Sequence, residues 1–214
     1  MKSTKLKFSA GVIIMALGLS LVFMAAFLIV NNYHEDAEAG QNIAPGLDAV
    51  QANQDLMQSQ AAKLGAGDFI PDYQLDPNRD MPVVLDADGH EYIGEIEIPS
   101  LELNLPVQSG WSYPGLKISP CRYTGSAYLD NLTIAAHNYT THFGRIKNLV
   151  EGDSVIFTDA DGNRFDYAVE SVQEIAPRPT GQISESGYDL VLFTCTPGGA
   201  SRVAVFCSSV SVEE

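Results

Sequence analysis

Cysteine is scarce in this chain: Cys121, Cys195 and Cys207 are the only three among 214 residues. That is too few for a disulfide framework, so the fold has to rest on an apolar core. Cys121 and Cys207 read as buried free thiols acting as small hydrophobes. A bridge between them is the alternative that an extracellular setting permits, and it would leave Cys195 single. Basic residues are scarce as well, 12 against 27 acidic ones, for a net charge of −15. Three of the 12 (Lys2, Lys5, Lys7) lie in the first seven positions, which leaves nine bases against 27 acids in the remainder. Such a body repels phosphate backbones and excludes nucleic acid as a partner. The acid excess itself reads as solubility. There is no internal repeat and no charge run long enough to form a binding tail. At 45% hydrophobic residues, the length suits one core-bearing domain plus an anchor.

Charge is absent altogether from residues 8–30. At 1.5 Å per residue, a helix of that length spans roughly 35 Å, enough to cross a hydrocarbon core of about 30 Å. Lysines precede the run and the polar stretch Asn31-Asn32-Tyr33-His34-Glu35-Asp36 follows it. The positive-inside tendency therefore puts residues 1–7 in the cytoplasm as a basic tail and everything after the helix outside, in a single-pass arrangement at the cell membrane. Ala37-Glu38-Ala39 has the form of a signal-cleavage site, but it lies late and the apolar run is too long, which favours an uncleaved anchor. Residues 31–80 read as an extracellular stalk. Leu47, Val50, Leu56, Met57 and Leu64 suggest one amphipathic helix there, before Pro71, Pro77 and Pro82 interrupt regular structure.

Residues 81–214 change texture to short alternating runs divided by Gly, Pro and Asn/Asp clusters. Strands are predicted near 92–98, 103–107, 125–128, 132–136, 154–158, 164–175, 189–195 and 202–210, with hairpin-turn chemistry in Asp159-Ala160-Asp161-Gly162-Asn163. One short helix is predicted near 141–148. The fold class is mostly β, a closed barrel or sandwich of about eight strands.

Chemistry concentrates at three strand ends. Cys195 closes the apolar run Leu190-Val191-Leu192-Phe193-Thr194 and precedes Thr196-Pro197-Gly198-Gly199, so its thiol is rigidly held yet reachable. Arg202 begins the next run, Val203-Ala204-Val205-Phe206-Cys207, and a short hairpin would return it beside Cys195. His137 ends Leu132-Thr133-Ile134-Ala135-Ala136. Period-two parity puts Leu132, Ile134 and Ala136 toward the core and His137 with Ala135 on the outer face; Val191 and Phe193 share the face of Cys195, and Leu190, Leu192 and Thr194 lie opposite. An outer groove lined by apolar side chains and floored by Cys, His and Arg suits an extended peptide, with Ala135, Val191, Phe193 and Thr194 as substrate-binding candidates. Trp111, Tyr113 and Tyr123 read as core aromatics, with the groove wall as the alternative. On spacing alone the same three residues also fit a non-catalytic, membrane-tethered β-domain that binds a wall component.

The pattern of motifs is more specific. Residues 92–210 resemble a sortase, the cysteine transpeptidase that attaches proteins to Gram-positive cell walls. Ile93-Gly94-Glu95-Ile96-Glu97-Ile98-Pro99 matches the entry strand of that family, and a leucine-rich strand ending Leu105-Pro106-Val107 follows. Ile134-Ala135-Ala136-His137-Asn138 matches its histidine strand. Phe143-Gly144 and Leu149-x-x-Gly152-Asp153-x-Val155 match the connection beyond. Leu192-Phe193-Thr194-Cys195 matches the Thr-Leu-x-Thr-Cys signature with Val191 in place of the first threonine, and Arg202 falls at the family's arginine. The resemblance implies a sortase-like barrel with catalytic His137, Cys195 and Arg202. It implies cleavage of a sorting-signal peptide of Leu-Pro-x-Thr-Gly type on secreted surface proteins, through a thioester on Cys195, and transfer to an amine acceptor such as a peptidoglycan cross-bridge or a pilin. The six-residue Cys195–Arg202 loop is shorter than in many relatives. No second apolar segment stands near the C-terminus, which points away from the pilus-polymerising branch. Asp76-Pro77-Asn78 lacks the aromatic of that branch's lid and reads as an ordinary turn.

No cofactor is expected. His137 and His142 lack convincing third and fourth metal ligands. Calcium occurs in one branch of the family; here Glu151, Asp153, Asp159 and Asp161 read more simply as loop and turn residues, which leaves calcium open. Papain-like and L,D-transpeptidase cysteine motifs are both absent.

Overall fold

Apolar residues alternate with polar ones along most of the β-rich half, and that alternation becomes the two faces of one sheet. The structure is a computed structural model describing residues 10–64, 70–178, 183 and 186–210. Its strands are β1 (Val84–Leu85), β2 (Glu91–Ile98), β3 (Leu103–Gln108), β4 (Cys121–Thr124), β5 (Leu132–Ala135), β6 (Ser154–Asp159), β7 (Arg164–Ile175), β8 (Leu190–Cys195) and β9 (Arg202–Ser209). They pair in the order β1-β2-β3-β4-β5-β8-β9-β7-β6, and a further β2–β6 pairing closes eight of them into a barrel with β1 as a short appendage. Ladders are antiparallel except the single β3–β4 pair and the β5–β8 ladder. The interior holds Ile93, Ile96, Ile98, Leu105, Leu132, Ile134, Phe143, Phe157, Tyr167, Leu190, Leu192, Val205 and Cys207.

Two local expectations are corrected. The strand predicted near 125–128 begins earlier, as β4. Residues Ala127–Leu129 instead form a 3-10 turn, because the Ser126 hydroxyl accepts from Tyr128 N at 3.1 Å and offers the backbone a cap rather than a ladder partner. The helix predicted at 141–148 is reduced to a 3-10 turn at Ile146–Asn148. Upstream of it, Phe143 N donates to His137 O at 3.1 Å and Gly144 N to Tyr139 O at 2.8 Å, bonds that wrap the chain under the histidine strand instead of propagating a helix. The 159–163 turn forms as predicted. Asp159 is its hub: Oδ1 accepts from Asp161 N and Asn163 N, and Oδ2 from Asn163 Nδ2 at 2.8 Å and Tyr128 Oη at 2.6 Å.

The N-terminal helix α1 (Ala10–Leu64) contributes to two compact units, residues 1–38 and residues 39–214. In the first, the apolar side chains from Val12 to Val30 are exposed. Among the described residues, α1 is the one helix long and apolar enough to cross a membrane. The stalk expected at 31–80 is corrected from Ala39 onward, because those residues fold as part of the barrel unit. Ala39, Gly46 and Val50 are buried at helical spacing, with Ile43 packed against the barrel core. Further along, Asn53 donates to Ala160 O at 2.7 Å and Gln54 to Asp159 O at 3.0 Å. Leu56, expected on the buried face, is 52% exposed. Ile43 and Val50 are joined in this contact by small and amide residues, which a pattern of large hydrophobics does not reveal. Beyond α1, Tyr73 stacks on Tyr128 at 4.8 Å, and Asp76 Oδ1 accepts from Asn78 N at 3.1 Å, so Asp76-Pro77-Asn78 is an Asx turn.

Within α1, Gly46 approaches the barrel strands closely: a Cβ there would lie 2.6 Å from Tyr92 Cζ and 2.9 Å from Pro106 Cγ. Gly46→Val is expected to cost about 1–3 kcal/mol by overpacking. Thermal melting of the barrel unit, from residue 39, would register it, and an unchanged melting temperature would mean that α1 does not seat on Tyr92.

Candidate active site

β5, β8 and β9 lie side by side at the centre of the strand order, and their registers build the site. In the parallel β5–β8 ladder, Leu132 pairs with Leu190 and Ala135 with Phe193. Past the end of β5 the chain stays attached, with Ala136 N donating to Phe193 O at 3.1 Å. Continuing that register brings His137 level with Cys195. On the other side, antiparallel pairing sets Cys195 directly opposite Arg202. His137, Cys195 and Arg202 therefore occupy one row across three adjacent strands, and all three are half-buried. Partners on one row of a sheet share a face.

That face is the outer one. Ala135, Val191, Phe193, Ala204 and Phe206 lie on it and form a second apolar cluster with Leu116, Cys121 and Ile183, separate from the barrel interior. The expected groove is thus partly roofed: Ala135, Val191 and Phe193 are all buried. Phe193 meets the exposed edge through Tyr123, with ring centroids 5.2 Å apart and edge-on. Trp111 lies 5.0 Å from Tyr113 and 6.1 Å from Tyr123. These three aromatics, expected chiefly in the core, are 41%, 73% and 41% exposed and form a ladder along the surface leading to Phe193. Thr194, a substrate-binding candidate, lies on the face opposite Cys195, where strand parity puts it. Its Oγ1 donates to Ala136 O at 2.9 Å, so it ties the end of the histidine strand to the cysteine strand from behind.

The local environment of each side chain follows from its strand end. The His137 ring packs 4.8 Å from that of Tyr139, tilted by 37°, and its carbonyl accepts from Phe143 N. Tyr139 in turn lies 5.6 Å from the fully buried His142. Arg202 Nη1 donates to Ser201 O at 2.9 Å and Gly199 O at 3.2 Å, which aims the guanidinium along the β8–β9 loop. Cys121 and Cys207 are free thiols in different apolar clusters, Cys121 in the outer one and Cys207 in the barrel interior, a placement that keeps them from bridging. Burial pushes the Cys121 thiol up to about 11 and the Cys207 thiol up to about 12. No group of three or more His, Cys, Asp or Glu among the described residues is arranged to hold a metal ion.

With this geometry in place, comparison with known proteins defines the class. The sortase domain family model matches residues 96–210, more than half of the chain. Sortase A of Bacillus anthracis is 30% identical over 114 residues, which cover 50% of this chain and 54% of the relative; the chain thus spans about half the length of that curated protein. Among solved structures, sortase A from Corynebacterium diphtheriae matches with a TM-score of 0.53 at 18% identity, over 87% of this chain and 96% of that one. A Clostridium perfringens sortase D5 transpeptidase matches with a TM-score of 0.50 at 21% identity, over 56% and 79%. At these identities the structural likeness is one of fold, a closed eight-stranded barrel with few helices. The chain belongs to the sortase family.

The difference in thiol environment has a direct readout. A thiol reacts as thiolate, so a pKa held up near 11 or 12 leaves Cys121 and Cys207 inert at neutral pH, with reactivity rising only in strong alkali. Iodoacetamide at pH 8 is expected to alkylate the native protein once, at Cys195, and Cys195→Ala to take up none. Peptide mapping that finds Cys121 or Cys207 labelled in folded protein at pH 8 would contradict their burial.

Proposed function

We propose that this protein is a membrane-anchored cysteine transpeptidase, with its barrel outside the cell and its N-terminus in the cytoplasm. The observation that carries the reading is the single row of His137, Cys195 and Arg202 set by two adjacent ladders. The Cys195 thiolate attacks the backbone carbonyl of a sorting-signal peptide of Leu-Pro-x-Thr-Gly type. A new C–S bond forms as the carbonyl π electrons move onto oxygen. Arg202 and backbone N–H groups offer donors to that oxyanion. His137, as imidazolium, gives its proton to the departing amine, because an amine anion is a very poor leaving group. Collapse leaves a thioester on Cys195 and neutral His137. An incoming amine, such as a peptidoglycan cross-bridge or a pilin lysine, then attacks the thioester. It surrenders a proton to His137, and a peptide bond forms as the thiolate is released. No metal or cofactor enters this scheme.

Exposed apolar residues along the first part of α1 and the lysines before it support the anchor and its orientation. Phe193, at the edge of the outer face, and the aromatic ladder beside it are the proposed walls of the peptide site; Ala135 and Val191 form the floor beneath. The alternative of a non-catalytic tethered β-domain fits less well, because Cys195 is half-buried at a strand end while the other two thiols are fully buried.

Incubating the protein with a panel of sorting-motif peptides should give an acyl adduct on Cys195 by intact mass, absent in Cys195→Ala and discharged by added amine. His137→Ala is expected to lower turnover by about 10²–10⁴, and Arg202→Ala by about 10²–10³. A folded preparation that forms no adduct with any peptide would favour the binding-domain alternative.

A further inference from the structure

The loop joining β8 to β9 is short, and it is bound together from the face opposite the catalytic row. Thr196 N donates to Ser201 O at 3.1 Å, Ser201 N donates to Thr196 Oγ1 at 3.1 Å, and the two hydroxyls lie 3.0 Å apart. Between them the chain turns through Gly198 and Gly199, both with positive φ (82° and 73°), and Gly199 N closes onto Thr196 O at 2.7 Å. The Ser201 hydroxyl also donates to the Glu174 carboxylate, which projects from β7. Register explains the contact. Glu174 pairs with Val203 while Ile175 pairs with Arg202, so Glu174 and Ser201 are diagonal neighbours on one face and Arg202 stands on the other. By the same alternation Thr196 shares the back face with Thr194, whose hydroxyl already holds the histidine strand.

The two carbonyls that this network immobilises, Gly199 O and Ser201 O, are the acceptors that Arg202 Nη1 uses. A guanidinium on a flexible stem takes its direction from whatever its fork engages. Here those acceptors are main-chain atoms whose position depends on Thr196, Ser201 and Glu174. We infer that Thr196, Ser201 and Glu174 form a clasp that sets the direction of the Arg202 guanidinium relative to Cys195, acting as positioning residues for the acyl transfer without touching substrate. The inference rests on the assignment of Cys195 and Arg202 made under Proposed function. It reaches a third strand, β7, that contributes nothing else to the catalytic row.

The test pairs two readouts on the full-length protein in detergent. In peptide transpeptidation, Ser201→Ala and Glu174→Ala are expected to lower kcat about five- to twenty-fold with KM within twofold and an unchanged melting temperature. The conservative Thr196→Ser and Glu174→Gln, which keep the acceptor oxygens, should stay within threefold of the unsubstituted protein. In an Arg202→Ala background, adding Ser201→Ala should cost no further activity, because the group being aimed is gone. The second readout needs no turnover. The rate at which iodoacetamide alkylates Cys195 at fixed pH should fall at least threefold in Ser201→Ala and be insensitive to Ser201→Ala once Arg202 is alanine. Equal losses with and without Arg202 in either readout would overturn the clasp, as would full activity in Ser201→Ala and Glu174→Ala. Absence of any acyl adduct on the unsubstituted protein would instead strike the transpeptidase reading, and the alkylation pair would still decide whether the clasp governs Arg202.

Discussion

Parallel pairing of β5 with β8 is the constraint on which the rest of the structure depends. Parallel strands cannot be joined by a tight turn, so the chain must leave β5, build β6 and β7 and return before β8 can be laid alongside. That detour supplies the strands that close the barrel through the β2–β6 pairing. It also means that His137 and Cys195, 58 residues apart in the chain, meet only when the sheet is complete. The register is not free to slip. A one-residue shift would turn Leu190 and Leu192 out of the barrel and Val191 and Phe193 into it. Because Leu132, Ile134, Leu190, Leu192 and Val205 fill the interior, burial of ordinary hydrophobic surface also fixes the geometry of the row of His137, Cys195 and Arg202.

The row is then supported from both sides of the sheet. On the outer face, Phe193 and Val191 lie under a second apolar cluster, which limits the site to the strand ends where Cys195 emerges. On the inner face, Thr194 binds Ala136 O, while Thr196, Ser201 and Glu174 bind one another. Side chains of opposite parity thus divide the labour: those in front can meet a substrate, and those behind hold the backbone that carries them. A strand end suits this arrangement because it combines the rigidity of a ladder with the access of a loop.

Much of the barrel was legible in advance, for identifiable reasons. β2, β3, β5, β6, β7, β8 and β9 carry period-two alternation or continuous apolar runs bounded by Gly, Pro or Asn/Asp, and their limits match within a residue or two. Where the reading failed, a local side-chain bond competed with the pattern. Ser126 capped a turn where a strand was expected, and wide backbone bonds beneath His137 replaced a helix. The second half of α1 was read as a stalk because its buried face is made of Ala39, Gly46, Val50, Asn53 and Gln54. Val50 apart, their contribution is close approach and amide hydrogen bonding, which hydropathy does not register. The surface position of Trp111, Tyr113 and Tyr123 stood only as the alternative for the converse reason: large aromatics signal burial on average, yet here they pack edge-on against one another along a rim.

The sequence by itself determined the charge-free apolar run, the β-rich character of the second half, the family resemblance and the choice of His137, Cys195 and Arg202 as site candidates. Each is written in neighbouring residues, as a charge-free run, an alternation or a short motif. Tertiary structure alone decided that the Arg202 guanidinium turns toward loop carbonyls, that the Thr194 hydroxyl ties down Ala136 O, that the outer face is roofed, and that Glu174 reaches the loop from a third strand. Those are properties of register between strands distant in the chain. Register is set by which faces can be buried together, a quantity that no local stretch of sequence contains.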